Sequence, residues 1–444
     1  MSIPYLEDQA LPPSYYEASV GSRVDYPQLE GTANCDVCVV GAGLAGLHSA
    51  LNLAERGLKV VLLEARRVGW GASGRNGGHV IPEYACGMSQ LEAALGMDAA
   101  RRCWTLAREG ADSLRARIED YRIDCDYQAG HIEAAISPRH ARPLQQWQAL
   151  AAKHYDYHYR YLTRAEMPQF VGSGRYHGGL LDMNGGHLHP LKFTLGLARA
   201  LTEAGGMIFE NSAVLSWQDQ GAAGLRIDTA RGQVTARQLV LASNVGIESI
   251  AGALPKKLAS RILPVGTWII ATAPLSAGLA HSVLPTGAAV ADNRMVLDYF
   301  RLSADRRMIF GGGCSYLGES TPAGYSEGMR RGMLKVFPQL EGVPIDFTWG
   351  GVIDISMSRA PDFGRLQDNV FHLQGFSGSG LVATAVAGRV VAEAIAGAGE
   401  NLELFARLTH LPFPGGAWLR GPLTAAGMTW HRLRDLFWTS GISV

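Results

Sequence analysis

Apolar positions along this chain gather in short runs separated by glycine-rich turns, and the runs predict strands alternating with helices. Cys35-Asp36-Val37-Cys38-Val39-Val40 has the near-continuous apolar character of a buried strand. Gly41-Ala42-Gly43-Leu44-Ala45-Gly46 is a turn opening a helix that reaches about Arg56, with Gly57 suited to its C-terminal cap. Lys59–Leu63 is a second strand, ended by Glu64. A similar pattern returns late in the chain. Asn369–Leu373 reads as a short strand, Gly375–Gly380 as a turn, and Leu381–Ile395 as a helix of small and apolar residues, fit to be buried all round. Between them, His131–Ile136, Trp268–Thr272 and Met308–Gly311 read as strands of a mixed sheet. Residues 1–31, rich in Pro, Tyr and acidic groups, form an irregular arm, and the amphipathic stretch Leu423–Trp438 is expected to pack on its own chain.

A chain of 444 residues exceeds one ordinary core, so two intertwined domains are expected. The fold class is α/β: a Rossmann-type domain interleaved with a mixed-sheet α+β substrate domain. A net charge of +0 with no basic run speaks against nucleic acid as a partner. The first twenty residues lack an apolar stretch, and no apolar run is long enough to span a bilayer, so the expected location is cytoplasmic, away from membranes. Of the six cysteines, Cys35 and Cys38 form a C-x-x-C. They lie in the predicted buried strand, and reactive thiols need polar, partly exposed surroundings, so packing is the expected role.

The order strand, glycine turn, helix, strand, acid is the signature of a dinucleotide site. Gly41 permits the tight turn, Gly43 lets backbone N–H groups approach a pyrophosphate, and Gly46 lets the helix lie close to the sheet. The positive end of the helix then faces the phosphates. Glu64, followed by Ala65 and Arg66, stands 18 residues after Gly46, where a carboxylate can accept hydrogen bonds from ribose hydroxyls. The motif alone does not choose between NAD and FAD. A second glycine-rich loop does: Ala72-Ser73-Gly74-Arg75-Asn76-Gly77-Gly78 supplies small residues whose amides reach the pyrophosphate, the ribityl chain and the flavin edge.

These motifs resemble those of the D-amino acid oxidase superfamily of FAD enzymes, the glycine oxidase and sarcosine oxidase group. The likeness extends over Ser14-Tyr15-Tyr16-Glu17-Ala18, Gly186-His187-Leu188-His189-Pro190-Leu191-Lys192, Leu297-Asp298-Tyr299-Phe300-Arg301 and Gly375-Phe376-Ser377-Gly378-Ser379-Gly380. Together with Leu411–Gly416 and Trp430–Asp435 it is similar to the γ-glutamylputrescine oxidoreductase branch. The resemblance implies an FAD-binding domain at 32–84, 191–254 and 346–400, a substrate domain at 85–190 and 255–345, and a helical tail at 401–444. It adds Val214, Ser243 and the turn Gly375–Leu381 to the cofactor contacts, with the turn near the flavin pyrimidine ring. Relatives of the branch often carry His where Ser379 stands. No cysteine follows Trp349 in Trp349-Gly350-Gly351-Val352-Ile353, so non-covalent FAD is expected.

The implied reaction is oxidation of a C–N bond: a neutral amine gives a hydride to flavin N5, and the resulting imine is hydrolysed to an aldehyde. The implied substrate is a γ-glutamylated polyamine or another amine with a distal carboxylate. Oxygen or another electron acceptor reoxidises the flavin. Glycine-type oxidases carry an arginine near Ile353 to hold an α-carboxylate, and the apolar Ile353 argues against that mode unless Arg301 or Arg359 substitutes. His79, Tyr299 and Arg301 are the candidate site-lining residues. The alternatives are oxidation of a secondary or D-amino acid of sarcosine or pipecolate type, or a structural flavoprotein without catalysis. His187 and His189 would alternate onto one strand face, but no third ligand follows, so no metal is expected. Ser73, Ser243 and Ser377 lack a base motif for hydrolysis.

Overall fold

The computed structural model describes residues 13–294, 297–315 and 322–414 of the chain. The stretch Leu423–Trp438 therefore lies outside the described residues. Two sheets organise the rest. The first runs, edge to edge, Asp362–Gln367, Val370–Gln374, Gly232–Leu241, Gly31–Val40, Val60–Leu63, Met207–Phe209, with a hairpin of Val214–Asp219 and Leu225–Thr229 added on Gly232–Leu241. All pairings from Val370–Gln374 to Met207–Phe209 are parallel. Parallel strands need cover on both faces: Val37, Val39, Val60 and Leu62 are buried among helix residues such as Leu47, Leu51 and Val390, and on the other face Cys38, Val40, Val61 and Leu63 pack with Val214, Leu225 and Ile227 of the hairpin.

The second sheet runs Ile345–Ser356, Ile262–Thr272, Met308–Ser315, Tyr299–Leu302, Ala289–Asp292, Gln128–Ala135, Gly178–His187, His79–Val80, with Arg160–Thr163 on Gly178–His187. It is mixed, with one parallel pair between Ala289–Asp292 and Gln128–Ala135. The three mid-chain strands expected from sequence fall inside it.

Some boundaries differ from expectation. Ile345–Ser356, assigned by sequence in the main to the cofactor domain, pairs along its length with Ile262–Thr272 in the second sheet. Within the described part of the arm, Tyr15–Ser19 is a helix whose capping box joins the Ser14 side chain to the Glu17 N–H and the Glu17 side chain to the Ser14 N–H. Tyr15 and Tyr16 are buried under it, against Trp349 and His189. His187 ends its strand, and His189 caps helix Pro190–Glu203, its Nδ1 accepting from the Lys192 N–H at 3.1 Å, so the two do not share a strand face. Cys38 is fully buried, and burial pushes the Cys35 thiol up to about 12, which leaves neither a nucleophile at neutral pH.

Candidate functional site

The first glycine turn is built to the limits of backbone contact. A Cβ on Gly46 would stand 1.8 Å from the Gly41 carbonyl oxygen, and one on Gly41 would stand 2.6 Å from that of Ala242. Helix Leu44–Ala54 therefore rests directly on the strand that precedes it. Glu64 closes the turn: its carboxylate accepts from the Ala42 N–H at 2.7 Å and the Arg66 N–H at 2.9 Å. Burial pushes that carboxyl up, and these N–H donors work against the rise.

The second glycine loop is tied to the first through Ser73, whose Oγ accepts from the Leu44 N–H at 2.9 Å and so caps the helix from a distant loop. Asn76 braces the loop internally, donating to the Ser73 carbonyl at 2.9 Å and accepting from the Gly78 N–H at 2.8 Å. Arg75 is buried, with Nε donating to the Gly350 carbonyl at 2.6 Å, while Trp349 Nε1 donates to the Arg75 carbonyl at 3.0 Å. Thus the loop is locked to strand Ile345–Ser356.

The third element is the turn before helix Gly380–Ile395. Asp354 sits beneath it, accepting from the Gly375 N–H at 2.5 Å, while its own carbonyl accepts from the Ser377 N–H at 3.0 Å. These bonds hold Ser377 at φ +53, a conformation that a non-glycine residue takes only when its surroundings impose it. Burial pushes the Asp354 carboxyl up to about 7. Ser379 makes no capping bond, so the first-turn N–H groups of the helix lack a side-chain cap from that residue.

The three loops converge on a cavity of about 1090 Å³. Gly41, Gly43, Leu44, Ala45, Glu64, Ala65 and Arg66 line it, as do Ala72, Ser73, Arg75, Asn76, Gly77, Val214 and Ser243. So do Phe376, Ser377, Gly378, Ser379, Gly380 and Leu381. Ala42, Gly46, Gly74, Gly78 and Gly375 stand behind this surface and shape it. Among the described residues, no group of three or more His, Cys, Asp or Glu could hold a metal.

Two of the candidate reactive residues face the cavity, and one does not. His79 lines it, with both ring nitrogens buried and without a partner among the described residues, and burial drives its pKa well below the ordinary imidazole range. Its ring meets Tyr299 and His131 edge-on, each with centroids 5.4 Å apart. Tyr299 also lines the cavity, its ring lodged so closely that a Cβ on Gly77 or Gly311 would overlap it. Arg301 is a correction to the sequence expectation. It is 3 % exposed, donates from Nε to the Gly77 carbonyl at 2.7 Å, from Nη1 to the Leu302 carbonyl at 3.2 Å and from Nη2 to Tyr16 Oη at 3.1 Å, and does not line the cavity. It is a strut between the loop and the arm.

Sequence reasoning missed Asp354 and Asn244. A lone acid within Val352-Ile353-Asp354-Ile355 was a visible signal, since an apolar run tolerates a carboxylate only where donors await it. Asn244 follows strand Gly232–Leu241 at φ +50, a conformation in which Asn is enriched. Its Oδ1 and the Ser243 Oγ are buried without a partner among the described residues, and both residues line the cavity. Unpaired buried polar atoms here, a backbone cradle at Gly41–Gly46 and a carboxylate at Glu64 fit a dinucleotide that brings its own hydrogen-bonding groups.

Comparison with known proteins agrees with this fit. Residues 36–394 match the DAO family model, described as FAD dependent oxidoreductase. The chain is 42% identical over 422 residues to gamma-glutamylputrescine oxidoreductase of Escherichia coli (strain K12), covering 95% of this chain and 98% of the relative. It is 39% identical over 425 residues to the probable oxidoreductase OrdL of Haemophilus influenzae, covering 96% of this chain and 97% of that one. Among solved structures, glycine oxidase from Geobacillus kaustophilus superposes with a TM-score of 0.70 at 20% identity, covering 82% of this chain and 95% of its own. L-proline dehydrogenase from P. horikoshii superposes with a TM-score of 0.70 at 18% identity, covering 85% and 96%. The fold, the three converging loops and the family match lead to one conclusion: this chain belongs to the DAO family of FAD-dependent oxidoreductases.

Proposed function

We propose that this enzyme oxidises the CH–NH group of an amine that carries a γ-glutamyl or similar carboxylate-bearing group, with FAD held non-covalently. The observation that carries amine oxidation is the buried imidazole of His79 at the cavity wall, without a partner among the described residues and with burial favouring its uncharged form. Bound FAD supplies the two-electron acceptor. The residues of this chain do the rest. Gly41–Gly46, Ser73 and Ser243 would hold the dinucleotide, Glu64 would accept from its ribose, and the turn Phe376–Leu381 would border its reacting end.

An alkyl ammonium has a pKa near 10, so the wall must favour the uncharged form in which the nitrogen lone pair is free. Ile353 and Tyr299 do so by excluding water, because burial disfavours a cation. Neutral His79 adds an acceptor for an amine N–H without adding charge. Oxidation leaves an imine, which water converts to an aldehyde and ammonia. The γ-glutamyl preference is supported by the near full-length similarity to the Escherichia coli relative and by the apolar Ile353, which offers an α-carboxylate nothing beside the reacting carbon.

Steady-state turnover of γ-glutamylputrescine, putrescine, sarcosine and pipecolate, with aldehyde trapping and ammonia release, tests the reading. Aldehyde and ammonia in equal amounts from γ-glutamylputrescine are the expected result. Glyoxylate chemistry from amino acids alone would overturn it.

A further inference from the structure

A substrate with a distal carboxylate needs a cation in the cavity that the fold has not already used. Besides Arg359, the Asp, Glu and Arg side chains that line that space are Glu64, Arg66, Arg75 and Asp354. Glu64 is bound by backbone N–H groups, and Arg66 lies beside it at the end of the first sheet, its guanidinium 5.7 Å from the Trp70 ring centroid. Arg75 is spent on the Gly350 carbonyl, with Glu17 at 3.8 Å, and Asp354 on the Gly375 N–H. Arg301, the other cation near Tyr299, is outside the cavity lining and donates to Gly77, Leu302 and Tyr16.

Arg359 differs from all of these. It lines the cavity, as do Ile353, Met357 and Phe376, and is exposed. No carboxylate lies within salt-bridge distance of it among the described residues. Its backbone takes φ +58, closed by donation of its N–H to the Ser356 carbonyl at 3.0 Å, so a tight turn fixes where the side chain starts. Met357 and Phe376, which also line the cavity, offer apolar surface for a methylene chain.

We propose that Arg359 is the specificity-determining residue that receives the substrate's distal carboxylate at the cavity mouth, which sends the reacting amine inward toward His79 and Tyr299. The proposal rests on the amine-oxidation reading above and names the group that selects within it. A planar guanidinium suits a carboxylate because it can donate two parallel N–H bonds, which a lysine cannot reproduce. Substrates would then be ranked by the spacing between carboxylate and amine, and an amino acid carrying both on one carbon could not bridge the two ends.

The test uses the purified FAD-loaded enzyme, wild type and the variants Arg359→Gln and Arg359→Lys, checked for equal flavin content. Half-saturation for γ-glutamylputrescine is read from anaerobic flavin reduction. Binding of γ-glutamylbutylamide, which lacks the reacting amine, is read from perturbation of the flavin absorbance. In Arg359→Gln both constants rise at least tenfold and the preference for γ-glutamylputrescine over putrescine shrinks, and Arg359→Lys recovers part of the loss. Unchanged constants in Arg359→Gln would overturn the assignment while leaving amine oxidation standing. Failure of wild-type enzyme to be reduced by either amine would overturn both, so the two failures are told apart.

Discussion

Substituting Gly46 by alanine should damage both stability and cofactor binding, although alanine is the better helix former. In an exposed helix that exchange gains about 1 kcal/mol. At Gly46 the new Cβ would stand 1.8 Å from the Gly41 carbonyl oxygen, against the 3.4 Å at which ordinary contact begins, a shortfall of 1.6 Å. Overpacking that side chains can relieve costs about 1–3 kcal/mol. Here the obstacle is backbone, so helix Leu44–Ala54 must lift from its strand and carry the Leu44 N–H away from Ser73. The expected net loss is about 2 kcal/mol or more, with the FAD dissociation constant raised at least tenfold. Gly328 supplies the control, because it lies exposed within helix Pro322–Val336 and a Cβ there meets nothing within 4 Å. Thermal unfolding and flavin fluorescence during dialysis are the assays. A G46A protein with wild-type melting temperature and FAD affinity, or a G328A protein as damaged as G46A, would refute the steric reasoning.

Other consequences are as direct. Removing the Ser73 hydroxyl (S73A) deprives the Leu44 N–H of its acceptor, and the loss of a cap costs about 1 kcal/mol, visible as a lower melting temperature and weaker FAD retention. Arg301→Lys should also lose stability, since an ammonium cannot serve Gly77, Leu302 and Tyr16 from one plane. Its half-saturation for amine should change less than that of Arg359→Gln. Acid stability should depend on Asp362, whose carboxyl is held below the usual range chiefly by His372, despite the opposing effect of burial. A depressed carboxyl stabilises the fold above its unfolded pKa, about 4, and loses that contribution as pH falls below it. Asp362→Asn should therefore flatten the acid limb of a stability–pH profile, and an unchanged limb would dismiss this role. Acid precipitation should release the yellow cofactor into the supernatant, whereas flavin retained in the pellet would show a covalent link.

The parts of the site governed by local backbone geometry were legible in the sequence. Gly41, Gly43 and Gly46 with Glu64 stand where spacing placed them, because the turn, the close approach of the helix and the carboxylate that closes the turn each demand a residue type at a fixed place. The late turn and its buried helix were equally visible from glycine periodicity and small side chains. What depends on long-range pairing was not. Nothing near Ser73 announces that its hydroxyl caps a helix 29 residues away. Arg301 carries a charge beside a motif residue, and sequence cannot reveal that three oxygen atoms already surround it. The Ser14-x-x-Glu17 capping box stood in plain view within the arm, but its burial against Trp349 is a tertiary fact. Strand Ile345–Ser356 joined the second sheet because its register partners in Ile262–Thr272 lie about 80 residues earlier, beyond the reach of local pattern.

Rapid anaerobic mixing of the FAD-loaded enzyme with γ-glutamylputrescine, followed by flavin absorbance, tests the central claim most directly. The account predicts fast, complete bleaching with γ-glutamylputrescine, slower bleaching with putrescine, and little change with sarcosine, pipecolate or D-amino acids. Fast bleaching by a D-amino acid, with none by γ-glutamylputrescine, would contradict it.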